Sequence, residues 1–179
     1  VIENVSLNPG RLGFLEVLRR MGAAVTIAPA YSSWEPTGTI SISGRGLRAV
    51  KIDSGEIPGL IDELPALSVA MAFAVGRSTV SGASELRNKE SDRISRLIEG
   101  LRKAGVTCSE AADGFSIEGS PFITGGAELD PAGDHRLAMA FTVLGCRSEK
   151  GIFLHASDCV KISFHDFFLS RLPNQFAFF

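Results

Sequence analysis

The apolar positions of this chain recur in two kinds of helical segment, separated by short β-rich stretches. Arg11 to Met21 carries Leu12, Phe14, Leu15, Leu18 and Met21 on one stripe and stops at Gly22, a natural helix C-cap. Asp92 to Ala104 repeats that pattern with Ile94, Leu97, Ile98 and Leu101 and stops at Gly105. Both predict amphipathic helices lying over a core, and each is followed by a predicted strand, Ala23 to Ala28 and Val106 to Glu110. Pro65 to Val75 and Leu137 to Leu144 are apolar nearly all round, which predicts buried helices. Further strands are expected at Thr39 to Ser43, Ala49 to Ile52, Ser78 to Ser81, Phe115 to Glu118 and Gly151 to His155. A third amphipathic helix is expected from His165 to Leu172, and the cluster Phe164, Phe167, Phe168 reads as core packing.

The segments echo one another. Ala70-Met71-Ala72-Phe73 recurs as Ala138-Met139-Ala140-Phe141, and Leu18-Arg19-Arg20-Met21-Gly22 returns as Leu101-Arg102-Lys103-Ala104-Gly105. Similar units within one chain stack around a shared core. The expectation is an α/β fold of repeated units, with the buried helices inside, the amphipathic ones outside and sheets around them. No stretch of Gly, Pro and Ser divides the chain into two domains. Opening on Val1 and running at once into Leu7-Asn8-Pro9, it reads as a piece of something longer.

Composition narrows the partners. Of 179 residues 45% are hydrophobic and 21% charged, and the net charge is −2 with both signs interspersed. That is ordinary for a globular protein with a real core. No basic run points to nucleic acid. The longest apolar run, Ala66 to Val75, is too short for a bilayer, and no signal peptide is visible, so no membrane partner and a cytoplasmic protein are expected. Cys108, Cys146 and Cys159 are widely spaced, without Cys-x-x-Cys, and read as reduced, mostly buried thiols. The three histidines have no metal-ligand spacing, so no metal site is expected.

Candidate chemistry sits at the helix starts. Asn8-Pro9 opens one helix, Asp62 precedes Pro65 at another, Ser91 or Asp92 caps a third, and Gly133 or Asp134 caps a fourth. Arg11, Arg93 and Arg136 each lie in or beside a first turn, where a cation opposes the helix dipole by up to roughly 1 kcal/mol. A mild fault repeated three times makes sense if an anion lies in front of the helices. The spacing Lys89-Glu90-x-x-Arg93 leaves two readings open, a solvated helix start and an anion site. In the second, Arg93 grips a carboxylate, Lys89 acts as a point charge, and Glu90 is a proton donor or base. Asp134-His135-Arg136 carries the same two readings. Asp62-Glu63 reads first as a capping pair.

Longer motifs extend these runs. Leu86-Arg87-Asn88-Lys89-Glu90-Ser91-Asp92-Arg93-Ile94 resembles the L-R-x-K-E-S/T-D-R-I/L signature of the 5-enolpyruvylshikimate-3-phosphate (EPSP) synthase family. Asp134-His135-Arg136-Leu137-Ala138-Met139 is similar to its D-H-R-x-A-M motif. Leu7-Asn8-Pro9-x-Arg11-x-Gly13-Phe14 and Ile61-Asp62-Glu63-x-Pro65 match its other landmarks in order, so the resemblance runs from about Val5 to Leu169. It implies most of the C-terminal domain (residues 1–179 here) of a two-domain enolpyruvyl transferase, built of βαβαββ units, with the N-terminal domain absent.

The implied reaction transfers enolpyruvyl from phosphoenolpyruvate to the 5-hydroxyl of shikimate 3-phosphate, without metal or cofactor, in a full-length monomer that glyphosate would inhibit. Under the same resemblance Arg93 and Arg136 bind the phosphoenolpyruvate carboxylate. Glu90 passes a proton to and from the methylene carbon, Asp62 assists loss of the hydroxyl proton, and Lys89 binds substrate and stabilises developing charge. A UDP-N-acetylglucosamine enolpyruvyl transferase shares the implied fold but not Lys-Glu-Ser-Asp-Arg, and a non-catalytic anion-binding module is the remaining alternative. Asn88 replaces the family's usual Val, His165 replaces a Pro, and Lys161 stands one position away from a family lysine.

Overall fold

A computed structural model describes residues 1–30, 35–44 and 46–168. The chain opens with β1 (Ile2–Ser6), α1 (Gly13–Arg20), β2 (Ala24–Ala30) and β3 (Thr37–Ser43), whose strands form an antiparallel sheet in the order β1-β3-β2. Next come β4 (Lys51–Ile52), α2 (Leu64–Ala72), β5 (Gly76–Val80), α3 (Arg93–Lys103), β6 (Thr107–Ala111) and β7 (Gly114–Gly119). Their sheet runs β4-β5-β7-β6, with β4 and β5 parallel and the other pairs antiparallel. Last are β8 (Ala127–Leu129), α4 (His135–Arg147) and β9 (Ile152–Leu154), with β8 and β9 parallel.

The middle stretch is therefore one whole βαβαββ unit. The first stretch repeats its second half, since β1-β3-β2 has the order of β5-β7-β6. The last repeats its first half, a parallel pair joined through a helix. The expected α/β repeat is present, in one and two half copies.

Register separates the two sequence echoes. Strands β2 and β6 begin 83 residues apart (Ala24, Thr107), the spacing of the Leu18 and Leu101 echo. Strands β4 and β8 begin 76 apart (Lys51, Ala127), as do β5 and β9 (Gly76, Ile152). The two Ala-Met-Ala-Phe runs are only 68 apart (Ala70, Ala138). That difference of eight is about two helical turns, so these runs share a helix face but not a level.

The helices divide as their patterns predict. α2 buries Leu64, Pro65, Leu67, Ser68, Val69, Met71 and Ala72, and α4 buries a similar set. Ser68 and Thr142 bond back to the carbonyls of Leu64 and Ala138, which satisfies their hydroxyls inside the core. α3 turns Ile94, Leu97, Ile98 and Leu101 inward. Gly100 faces Phe141 of α4, and a Cβ there would sit 2.4 Å from the ring. The glycine lets the two helices come close at mid-length, which fixes how their starts face each other.

Some boundaries differ from expectation. α1 begins at Gly13 rather than Arg11, because Pro9–Arg11 forms a separate 3-10 turn whose cap, Asn8, accepts from the Gly10 N–H. α2 stops at Ala72, and the chain leaves through Gly76 at φ +96°, so Val75 is exposed. The helix expected from His165 to Leu172 does not form over residues 165–168, which are turn; residues 169–172 lie outside those described. Its apolar residues find partners without a helix: Phe167 packs with Ala138 and Val160, while Phe164 stays half exposed. β1 was not anticipated because Asn4, at φ +54°, breaks its alternation, and β8 is too short to show a period.

Candidate active site

The starts of α2, α3 and α4 converge on Arg93. This side chain is 1% exposed, although it stands at the first position of a helix. Its Nε donates to Asp134 Oδ2 at 2.7 Å, and one Nη group bonds the Glu90 carboxylate. The other, Nη1, has no hydrogen-bond partner among the described residues and lies 3.6 Å from Asp62 Oδ1. A buried unpaired donor costs about 1–3 kcal/mol unless something accepts from it. An anion oxygen between Arg93 and Asp62 would do so.

Asp134 is fully buried and serves several groups at once. It caps α4 by accepting from the N–H groups of Arg136 (3.0 Å) and Leu137 (3.3 Å). It also accepts from Arg93 and from Ser91 Oγ at 3.2 Å. Ser91 therefore ties two motifs together, and Asp92 is the residue that caps α3, accepting from Ser95 N at 3.1 Å. These caps answer the helix dipoles that the arginines oppose. Part of the anion expected in front of the helices is thus the protein's own carboxylates.

Asp62 is not a capping residue. Glu63 occupies the cap position of α2 without a side-chain cap bond, and both carboxylates turn to arginine. Asp62 Oδ2 accepts from Arg11 Nη1 at 3.1 Å and pairs with Arg136 Nη2 at 2.9 Å. Arg136 Nη1 also reaches the Asp62 carbonyl at 3.3 Å, and Arg11 Nη2 binds Glu63 Oε1 at 2.9 Å. Partial burial pushes the Asp62 carboxyl upward. The Arg11 hydrogen bond and the charges of Arg136, Arg11 and Arg93 outweigh it and hold the group below its ordinary value. The carboxylate is ionised, with Oδ2 engaged and Oδ1 facing, among the described residues, only the distant Arg93 nitrogen.

Asp62, Glu90, Arg93 and Arg136 are thus brought together. Lys89 is not joined to them by any bond among the described residues: its Nζ turns back to Glu85 Oε1 at 2.6 Å. Arg11 and Asp134, which the sequence marks only as part of a possible anion site or helix cap, belong to the arrangement, as do Ser91, a cap candidate, and Arg87, which the sequence leaves without a role. Arg87 donates to Asp92, Ser95, Glu110 and the carbonyls of Ala111 and Ala112, which pins the Lys89-Glu90 loop to α3 and to the β6-β7 turn. A run of Arg and Asp inside one motif signals such pairing but not the partner on a distant strand. The cavity beside Asp62 and Arg136 has a volume of about 270 Å³ and is otherwise lined by Glu63, Phe167 and apolar groups of α2 and α4.

Among the described residues no three His, Cys, Asp or Glu side chains cluster as metal ligands, and no helix is long and apolar enough to cross a membrane. Cys108, Cys146 and Cys159 are free and half-buried, and burial raises their thiols above the ordinary value.

A family model described as EPSP synthase (3-phosphoshikimate 1-carboxyvinyltransferase) matches residues 1–170. A relative from Nitratiruptor sp., named 3-phosphoshikimate 1-carboxyvinyltransferase, is 44% identical over 93% of the chain and 37% of its own length. One of the same name from Thermotoga sp. is 41% identical over 93% of the chain and 40% of its own length. The solved EPSP synthase of Acinetobacter baumannii superposes with TM-score 0.87 at 38% identity, over 93% of this chain and 39% of that one. The enolpyruvyl transferase NikO of Streptomyces tendae shares the fold, with TM-score 0.63 at 16% identity over 89% of this chain and 34% of that one. The chain spans about two fifths of the length of the curated relatives it matches.

Proposed function

Because this chain belongs to the EPSP synthase family, we propose that it is the C-terminal domain of an enzyme that transfers enolpyruvyl from phosphoenolpyruvate to the 5-hydroxyl of shikimate 3-phosphate. The single observation that carries this reading is the buried Arg93 with its free Nη1 beside Asp62 and Arg136. Two guanidinium groups at this place suit a small carboxylate, and fixed cations orient it without reorganisation during reaction.

In the proposed sequence, Glu90 passes a proton to the methylene carbon of phosphoenolpyruvate. The central carbon becomes electrophilic, and the 5-hydroxyl oxygen bonds to it. Asp62 takes the hydroxyl proton at Oδ1, the oxygen its arginines leave open. The tetrahedral adduct then loses inorganic phosphate, which carries off the proton held on Asp62, as the new methyl group returns a proton to Glu90, giving the enol ether. Lys89, released from Glu85, stabilises charge on the attacking oxygen and the leaving phosphate. No step needs a metal or an organic cofactor. The site is half of a cleft, and an N-terminal domain supplies the remaining cations for both substrates. The full-length enzyme acts as a cytoplasmic monomer.

The test joins this chain to the preceding part of the Nitratiruptor relative and assays phosphate release with both substrates. The chimera is expected to turn over and the chain alone is not. A folded chimera that binds shikimate 3-phosphate yet releases no phosphate sinks the enzyme reading. Turnover with a UDP-sugar acceptor instead of shikimate 3-phosphate would reassign the substrate.

A further inference from the structure

Arg11 touches the proposed base yet belongs to none of the helices that build the site. It ends the 3-10 turn Pro9–Arg11, whose shape is set by Pro9, by the Asn8 side chain on Gly10 N and by the Arg11 N–H on the Asn8 carbonyl. That turn is pressed against the segment leading to Asp62. A Cβ on Gly13 would lie 2.9 Å from the Gly59 carbonyl oxygen and 3.1 Å from Leu60 Cδ2, so no bulkier residue lets α1 sit so close. From there the Arg11 fork spans two neighbouring carboxylates, Asp62 at 3.1 Å and Glu63 at 2.9 Å.

The two arginines on Asp62 Oδ2 differ in what else they must do. Arg136 lines the cavity and, under the proposed function, engages the substrate carboxylate. Its hold on Asp62 is then shared or released when substrate arrives. Arg93 faces Oδ1 from 3.6 Å and has the same second duty. Arg11 already has its second nitrogen on Glu63 and does not line the cavity, so it remains on Oδ2 throughout.

We propose that Arg11 is a positioning residue for the reaction: it anchors Asp62 through Oδ2 and keeps Oδ1 turned to the substrate hydroxyl while Arg93 and Arg136 bind the anion. This rests on the enolpyruvyl-transfer reading. The charged groups facing Asp62 are Arg11 and Glu63 from its own side, Arg136 from α4, and Arg93 from α3, with Glu90 and Asp134 behind Arg93. Removing Arg11 takes away the strongest interaction that keeps Asp62 ionised against its burial, so the carboxyl must titrate at higher pH.

Arg11→Gln and Arg11→Lys separate the outcomes in two assays. The first follows the Asp62 carboxyl of this chain by carbon-13 NMR. Its midpoint rises in Arg11→Gln and falls back toward the parent in Arg11→Lys; an unchanged midpoint in Arg11→Gln overturns the proposal. The second uses the chimera described above. Arg11→Gln should lower kcat about tenfold with little change in KM for phosphoenolpyruvate, and should move the acid limb of the kcat profile to higher pH. Arg11→Lys should recover most of both. A KM effect alone would make Arg11 a substrate ligand and overturn the anchoring role. If the parent chimera is inactive, the enolpyruvyl-transfer reading fails, while the NMR arm still decides whether Arg11 governs Asp62. Arg11 is half exposed, so both variants should keep the parent circular dichroism.

Discussion

At the scale of single residues, the organising group is Asp134 rather than any of the cations. One buried carboxylate caps α4, fixes Arg93 through Nε and receives Ser91, so two motifs 41 residues apart meet on its oxygens. With Asp134 fully buried and Arg93 1% exposed, breaking the pair leaves a buried guanidinium with one fewer counter-charge. Removing one partner of such a pair costs about 3–5 kcal/mol. Asp134→Ala is expected to lose that much in denaturant unfolding, while Asp134→Asn, which can still accept the cap bonds, should lose distinctly less. Equal losses would mean that the pairing with Arg93, and not the cap, holds the site. Sequence reading found Arg93 by residue type and position in a first turn. It did not find that Arg93 is buried, because a helix start reads as surface until its partner from another helix is known. Asp62 was read first as a capping acid for the same reason: its arginines come from positions 51 and 74 residues away.

At the scale of elements, the helix types and most strands were legible because their periods are strong, and the edges were not. The Leu18 and Leu101 echo follows the structural repeat, since those residues close amphipathic helices at glycines of positive φ, Gly22 and Gly105. The Ala-Met-Ala-Phe echo does not, because α4 has 13 residues and α2 has nine, and an all-apolar helix has no polar mark to show its level. Helix spacing also depends on a position that propensity misjudges. Gly100 in the middle of α3 costs the helix about 1 kcal/mol relative to alanine. A methyl there would meet the rigid, buried ring of Phe141 at 2.4 Å, and overpacking of that kind costs about 1–3 kcal/mol. Gly100→Ala should therefore fail to stabilise and should destabilise by up to about 2 kcal/mol net, measured by chemical unfolding. A stabilised variant would show that α3 and α4 are free to part, and with them Arg93 and Asp134.

At the scale of the whole molecule, charge is arranged so that acids carry more of the stability than the net charge of −2 suggests. Asp62 is held below its ordinary value because its arginines overcome burial, and the caps and Arg87 do the same for Asp92. Glu99 is lowered chiefly by Lys103, and Glu110 chiefly by Ser95 and then Arg87. Each of these groups has a folded pKa below its unfolded one. Each therefore contributes stability that is fully present above the unfolded carboxylate range, about pH 4, and lost as pH falls through the folded value. The three thiols run the other way. Burial raises them, so their contribution is full below about pH 8.5 and is lost as pH rises through the folded value. Thermal unfolding from pH 2 to 10 should give a plateau between those limits with a fall on each side. Arg87→Met should flatten the acid fall, because Asp92 and Glu110 lose a shared counter-charge, and should leave the alkaline side unchanged. An acid limb indifferent to Arg87 would mean that these surface pairs are screened away by solvent and that the three segments Arg87 joins are held by apolar packing alone.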